Sequence, residues 1–248
     1  MEAKKLIKEI NTVKFIYKGE LAINELTKTK IQSYWEIINK EKDFLRESNI
    51  LIVSNFIKNN NDYLIELKKT TFSNYMYVKN QKNGDIRSLF SGAYILTQDQ
   101  YIVAVMNRYY ENELEFETLN LVGGMADAKD IVNGQYSSQK CLEREIKEEL
   151  GFDINNNNWN IKLKYLKFPS NSENSINYPI GTIYEIKTLY TKEQLNMMFE
   201  KSLHDEEVKN LVFFSKENYK DIEKYEHKKP YMPELWKLIF EKYNWSLF

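Results

Sequence analysis

Glu145, Glu148 and Glu149 are the residues whose types and spacing point most directly to chemistry. Placed on a helix, at about 100° per residue, they gather on one arc. Leu142, Ile146 and Leu150 form a separate apolar stripe at i, i+4 and i+8, the face a core requires. Glu143 and Lys147 are expected to point to solvent, and Gly151 to stop the helix. Three acids so placed repel one another by a few tenths of a kcal/mol per pair. The helix C-terminus disfavours negative charge as well. Arg144 offsets part of this. A hard dication such as Mg²⁺ or Mn²⁺ offsets far more, because clustered carboxylate oxygens are its preferred donors. The plainer reading is a solvated, salt-bridged surface helix, the usual fate of a Glu/Lys-rich run.

The order R-E-apolar-x-E-E-x-G-apolar is met at every position from Arg144 to Phe152. By average residue usage a chance match is on the order of one in ten thousand, which favours the metal reading. The run resembles the second half of the signature of the Nudix hydrolases, G-x5-E-x7-R-E-apolar-x-E-E-x-G-apolar. The first half departs from it. Counting forward from Gly124 the expected glutamate falls on Asp130, and counting back from Arg144 it falls on Tyr136. Ile131 to Tyr136 therefore reads as an insertion, with the first glutamate replaced by Asp130 or lost.

The resemblance covers residues of about 88 to 245. It implies an α/β/α sandwich with a mixed sheet, a Mg²⁺ or Mn²⁺ cofactor, and hydrolysis of a phosphoanhydride. The implied substrate is a small molecule, a nucleoside diphosphate linked to another moiety X. Glu145, Glu148 and Glu149 would hold metal, with the carbonyl of Gly123 completing the shell. Arg144 would orient the glutamates, and Arg108 would meet substrate phosphate. The proton acceptor would be Glu145 or a downstream acid, Glu206 or Glu207, with Glu185 a lesser candidate. A Nudix scaffold that binds a nucleotide without turning it over, as a sensor or regulatory module, stays open as the alternative.

These side chains need a frame. Leu89 to Leu96 and Tyr101 to Met106 read as strands, and Leu119 to Val122 runs into Gly123-Gly124, where the backbone can approach closely. Tyr109 and Tyr110 could stack on a base, although packing is the commoner role of tyrosine. Ser137 or Ser138 can cap the acidic helix. Trp159 to Phe168 and Ile180 to Leu189 are strand-like, Thr191 to Gln194 has capping-box form, and Asn210 to Phe214 reads as a strand. Met232 to Trp245 reads as a closing amphipathic helix.

Ahead of these, residues 1–85 read as a small α/β N-terminal extension, with 86–248 the hydrolase domain. Val13 to Tyr17, Asn49 to Val53, Tyr63 to Lys68 and Tyr75 to Lys79 are expected strands, and Thr27 to Glu47 an expected helix. Gln81 to Asp85 is a polar junction with a turn glycine.

Composition narrows the classes. The chain has 248 residues, of which 42% are apolar and 14% aromatic, enough to build a core. A net charge of −1 argues against a nucleic-acid-coating surface. One cysteine, Cys141, excludes an internal disulfide framework and fits a reducing compartment. No run approaches the ~18 apolar residues of a membrane span, and Met1 to Lys8 is charged. The expectation is a cytoplasmic protein with no membrane partner, for which a homodimer is a compatible assembly.

Overall fold

The computed structural model describes residues 7–10, 12–41, 46–59, 62–81, 86–111, 114–168, 179–225 and 233–245. It is a mixed α/β protein that divides into two compact units. One comprises Met1–Ser91, Met125–Cys141 and Tyr165–Thr182; the other comprises Gly92–Gly124, Leu142–Lys164 and Ile183–Phe248.

The first unit opens with β1 (Ile7–Glu9), β2 (Thr12–Glu20), α1 (Glu25–Glu41), β3 (Asn49–Asn59), β4 (Asp62–Thr71) and α2 (Phe72–Gln81). β2 runs parallel to β4, and β3 takes the other side of β4 antiparallel. β4 shows why it is a central strand. Tyr63, Ile65 and Leu67 are buried while the residues between them are less so, the period of two that a pleated strand imposes.

Tyr75 to Lys79 is not the expected strand but part of α2. Its Tyr and Val content favours strands, yet Phe72, Tyr75 and Met76 fall at i, i+3 and i+4 and pack on Ile50 and Ile52. The hydroxyl of Thr71 accepts the Asn74 N–H at 3.2 Å and starts the helix. Packing and capping here outweigh propensity. The junction at Lys82 to Asp85 lies outside the described residues.

β5 (Arg87–Leu96) continues from the first unit into the second, followed by β6 (Ile102–Glu111), β7 (Leu114–Asn120) and β8 (Val122–Met125). A short 3-10 turn, Ala128–Asp130, leads to β9 (Ile131–Val132), β10 (Gln135–Tyr136) and α3 (Ser138–Leu150). β11 (Trp159–Lys167), β12 (Ile180–Thr188), α4 (Lys192–Lys201), β13 (Val208–Phe214) and α5 (Pro233–Lys242) complete the chain. No helix among the described residues is long and apolar enough to cross a membrane.

In the second unit β6 is the hub, antiparallel to β13, to β7 and to the end of β5. Val103 and Val105 of β6 share one core with Leu142, Ile146 and Leu150 of α3 and with Leu195 and Phe199 of α4. The apolar stripe of α3 is wholly buried, which stabilises the helix by roughly 1.5–3 kcal/mol per side chain. The expected outward placement of Glu143 fails, because Glu143 is only 8% exposed while Lys147 is open. The amphipathic reading assumes one covered face, and α3 is covered on more than one.

The inserted segment Ile131 to Tyr136 is a hairpin. β9 and β10 pair antiparallel around Asn133 and Gly134, at φ 51° and 76°. Asn-Gly is the dipeptide that such a two-residue turn favours.

Candidate active site

The helix that carries the acids is fixed at both ends. Ser137 caps it, its hydroxyl accepting the Lys140 N–H at 3.2 Å. At the other end Gly151 adopts φ 70° and donates its N–H to the Lys147 carbonyl at 3.0 Å. A Cβ on Gly151 would come within 2.5 Å of Ser202, whose hydroxyl donates to the Leu150 carbonyl at 2.8 Å. Ser202 closes the helix from outside, a role no local pattern announces.

Along α3 the three glutamates stand in different surroundings. Glu149 is 5% exposed and its Oε2 accepts the Gly123 N–H at 3.0 Å. Burial pushes its carboxyl well above the usual range; the Gly123 bond opposes this, and the negative charges of Glu207, Glu145 and Asp205 add to the rise. Glu145 is half-buried and Glu148 exposed. Arg144 Nη1 reaches Glu145 Oε1 at 2.8 Å and Glu148 Oε2 at 2.9 Å, so it orients both. The Arg144–Glu148 pair is open enough to water that its net worth is a few tenths of a kcal/mol.

The two glycines serve these acids. Gly123 holds φ 136°, where side-chain-bearing residues strain, and so delivers its N–H to Glu149. A Cβ on Gly124 would lie 2.4 Å from the Glu145 carboxyl carbon. We expect Gly124→Ala to displace that carboxylate and to cut kcat/KM by about a hundredfold, the scale of a 1 Å misplacement. Steady-state kinetics beside an unchanged circular dichroism spectrum would check this.

The loop before β13 comes to the same place through its backbone. Asp205 N–H donates to the Glu148 carbonyl at 2.9 Å, and Arg108 N–H donates to the Glu207 carbonyl at 2.8 Å. Asn107 pairs with Val208 in the β6–β13 ladder, next to Glu207. Burial raises the Glu207 carboxyl above its usual range, the neighbouring Asn107 amide opposes this, and the charge of Asp205 adds to it. The residue as a whole remains exposed, so a proton on this carboxylate can exchange with solvent. Glu206 is exposed beside it.

The remaining candidates have their own surroundings. Glu185 is 3% exposed and is bound by Lys242, by Tyr243 and by the Tyr94 hydroxyl at 3.0 Å. It belongs to a buried ionic cluster that ties the C-terminal helix to β12. Asp130 is also buried, and its Oδ2 accepts the Asp127 N–H at 2.8 Å in a capping box. Arg108 is half-buried, while the side chains of Tyr109 and Tyr110 lie outside what the structure describes. Cys141 is fully buried.

Among the described residues no three His, Cys, Asp or Glu side chains converge as a ready-made ion cage. The donor chemistry nevertheless fits Mg²⁺. That ion commonly takes one or two carboxylates and completes its shell with water and substrate phosphate. The bare Cα of Gly124 against Glu145, and the concentration of negative charge around Glu149, suit such an ion.

Sequence reasoning missed Asn107, Asp205 and Ser202. Asn107 alone left a signal, a polar residue ending the alternating row Val103, Val105, Asn107.

No family model matches the chain, and no curated protein matches it in sequence. Solved structures do resemble it. Tm1382 is 12% identical, with 79% of this chain and 100% of that chain covered and a TM-score of 0.43. A Nudix hydrolase from Nitrosomonas europaea is 16% identical, covering 64% of this chain and 88% of that one at a TM-score of 0.38. A MutT protein from Methanosarcina mazei Go1 is 13% identical, with coverages of 64% and 95% and a TM-score of 0.38.

Proposed function

We propose that this chain is a metal-dependent hydrolase of the Nudix type, cleaving a phosphoanhydride in a nucleoside diphosphate linked to a second group. The observation that carries the reading is Glu149, buried within reach of the charges of Glu145, Glu207 and Asp205. A fold that holds acids together at such a cost commonly does so for a cation. Glu145, Glu148 and Glu149, with the Gly123 carbonyl, would hold Mg²⁺ or Mn²⁺. When bound, such an ion neutralises diphosphate oxygens and makes a water more acidic.

The chain's own residues supply the rest. Arg144 keeps Glu145 and Glu148 aligned through charge-assisted hydrogen bonds. Arg108, in the second half of β6, meets a substrate phosphate. Water oxygen bonds to one phosphorus as the bond from that phosphorus to the bridging oxygen breaks. The bridging oxygen leaves on the other phosphate, and Glu207 accepts the water proton.

The test is incubation with Mg²⁺ and a panel of nucleoside diphosphate sugars, ADP-ribose, dinucleotides and nucleoside triphosphates. Phosphatase-coupled phosphate release is expected for at least one compound and is expected to vanish with EDTA. A second reading, a nucleotide-binding sensor without turnover, is favoured by Asp130, which stands near the place of the first signature glutamate but serves a capping box. Binding of a panel member with no product under any divalent ion would establish that reading instead.

A further inference from the structure

The loop that carries Glu206 and Glu207 sits on the open end of the acidic helix. The last carbonyls of an α-helix have no partner inside it, and here the loop supplies donors for two of them. Ser202 Oγ donates to the Leu150 carbonyl at 2.8 Å, and the Asp205 N–H donates to the Glu148 carbonyl at 2.9 Å. Between these two bonds stands His204. Its ring lies almost flat on Phe199 of α4, with centroids 4.2 Å apart and planes 18° apart. Phe199 is itself seated in the core that α3 completes. His204 Nδ1 lies 2.9 Å from the Asp205 carbonyl oxygen. A carbonyl can only accept, so Nδ1 carries the hydrogen.

These bonds fix successive peptide units. The Glu148 carbonyl holds the peptide that joins His204 to Asp205. The His204 ring holds the next one, which joins Asp205 to Glu206. On the far side the Glu207 carbonyl accepts the Arg108 N–H at 2.8 Å. Glu206 and Glu207 are thus suspended between pinned points. Leu203, the aliphatic side chain of the loop, is 97% exposed and contributes no packing. Anchoring of the acids next to it falls to the histidine.

We propose that His204 is the positioning residue of the acid loop, an inference that rests on the reading of Glu207 as the proton acceptor. Its ring face clamps the loop to α4, and its Nδ1–H orients the peptide that leads into Glu206 and Glu207. His204 touches neither substrate nor the reacting atoms. It acts by holding the Glu207 carboxylate where it can take the water proton. Alanine would release both contacts, and a displacement of about 1 Å in a reacting group lowers the rate about a hundredfold. Phenylalanine would keep the face without the donor, and asparagine the donor without the face.

Three variants of the full chain test this with Mg²⁺ and the best compound of the panel. His204→Ala is expected to lower kcat by about a hundredfold, with KM changed less than about threefold because substrate is held by other residues. His204→Phe and His204→Asn each keep one contact, and each is expected to recover to within about tenfold of wild type. In a Glu207→Gln background His204→Ala is expected to lower kcat less than about threefold further, because it acts through that carboxylate. Exchange of the Asp205 amide hydrogen, read by NMR, is expected to quicken at least about tenfold in His204→Ala while the α3 core amides keep their protection. This last measurement reports the anchor without any turnover. Should His204→Ala fail to fold, the kinetics and exchange of His204→Phe and His204→Asn decide. Unchanged exchange would overturn the anchor and leave the hydrolase reading intact. Wild-type kcat with a lowered thermal midpoint would overturn it too, by reducing His204 to a cover for Phe199. An equally large loss in the Glu207→Gln background would place its action elsewhere, and an active Glu207→Gln would remove the proton acceptor and the positioning role with it. Wild-type protein that turns over no panel member would instead sink the hydrolase reading itself, and this role along with it.

Discussion

Glu149→Gln is expected to lower kcat by about a thousandfold on the best substrate while leaving the fold at least as stable as before. The first half of that expectation follows from the proposed role of Glu149 as a metal donor, whose loss is an effect of several kcal/mol, at about 1.4 kcal/mol per factor of ten. The second half follows from the electrostatics. Burial, with the charges of Glu207, Glu145 and Asp205, raises the Glu149 carboxyl in the folded chain. The folded state therefore holds that proton more tightly than the unfolded state does. Ionisation works against the fold, and stability declines as pH rises from the ordinary carboxylate range through the raised value. Glutamine keeps the shape and removes this penalty. Stopped or coupled assays with saturating Mg²⁺, beside thermal unfolding at neutral pH, would check both halves. Wild-type turnover in the variant would sink the metal assignment.

Glu185→Ala is expected to do the reverse, sparing turnover per folded molecule and costing about 3–5 kcal/mol of stability, the usual result of removing one partner from a buried ion pair. For a chain of this size that is a fall of roughly 10 °C in thermal midpoint. Lys242, Tyr243 and Tyr94 converge on this carboxylate, and Lys164 lies 3.9 Å away. Burial alone would raise its pKa, but the bonds from Lys242, Tyr243 and Tyr94 outweigh burial and hold it below the usual range. A carboxyl depressed in the folded state contributes stability above its unfolded pKa and loses it as pH falls through the depressed value. Wild-type protein should therefore lose midpoint steeply on the acid side, and the variant should show a flatter acid limb. A midpoint within about 2 °C of wild type would remove Glu185 from the architecture and return it to the list of catalytic acids.

How much of this was legible in the sequence depends on the range of the interaction. The α3 stripe was legible because Leu142, Ile146 and Leu150 repeat at helical spacing and needed only one partner face. The capping box from Thr191 to Gln194 was legible because it closes on itself; Gln194 N–H reaches Thr191 Oγ1 at 3.3 Å. Glu143 was misplaced because local periodicity says nothing of how many neighbours a helix has. Tyr75 to Lys79 was misread because strand-forming residues there are ruled by a cap and a three-residue packing face. The acid loop could be guessed, but its seat could not. Backbone bonds from Asp205 to Glu148 and from Arg108 to Glu207 place it, and backbone bonds leave no side-chain signature.

The hairpin at Ile131 to Tyr136 separates two constraints that a fixed-length motif treats as one. At its tip Gly134 has open space around it, and lengthening a surface turn costs only the slowly growing entropy of closing a larger loop. Distance along the chain between Gly124 and Arg144 can thus change at the exposed tip, Val132 to Gln135, while Tyr136 at its foot stays buried against Phe15. The arc of Glu145, Glu148 and Glu149 is a property of helical pitch and cannot drift by a single residue. Two proteins could differ at every count across this turn and still carry the same three carboxylates on one arc.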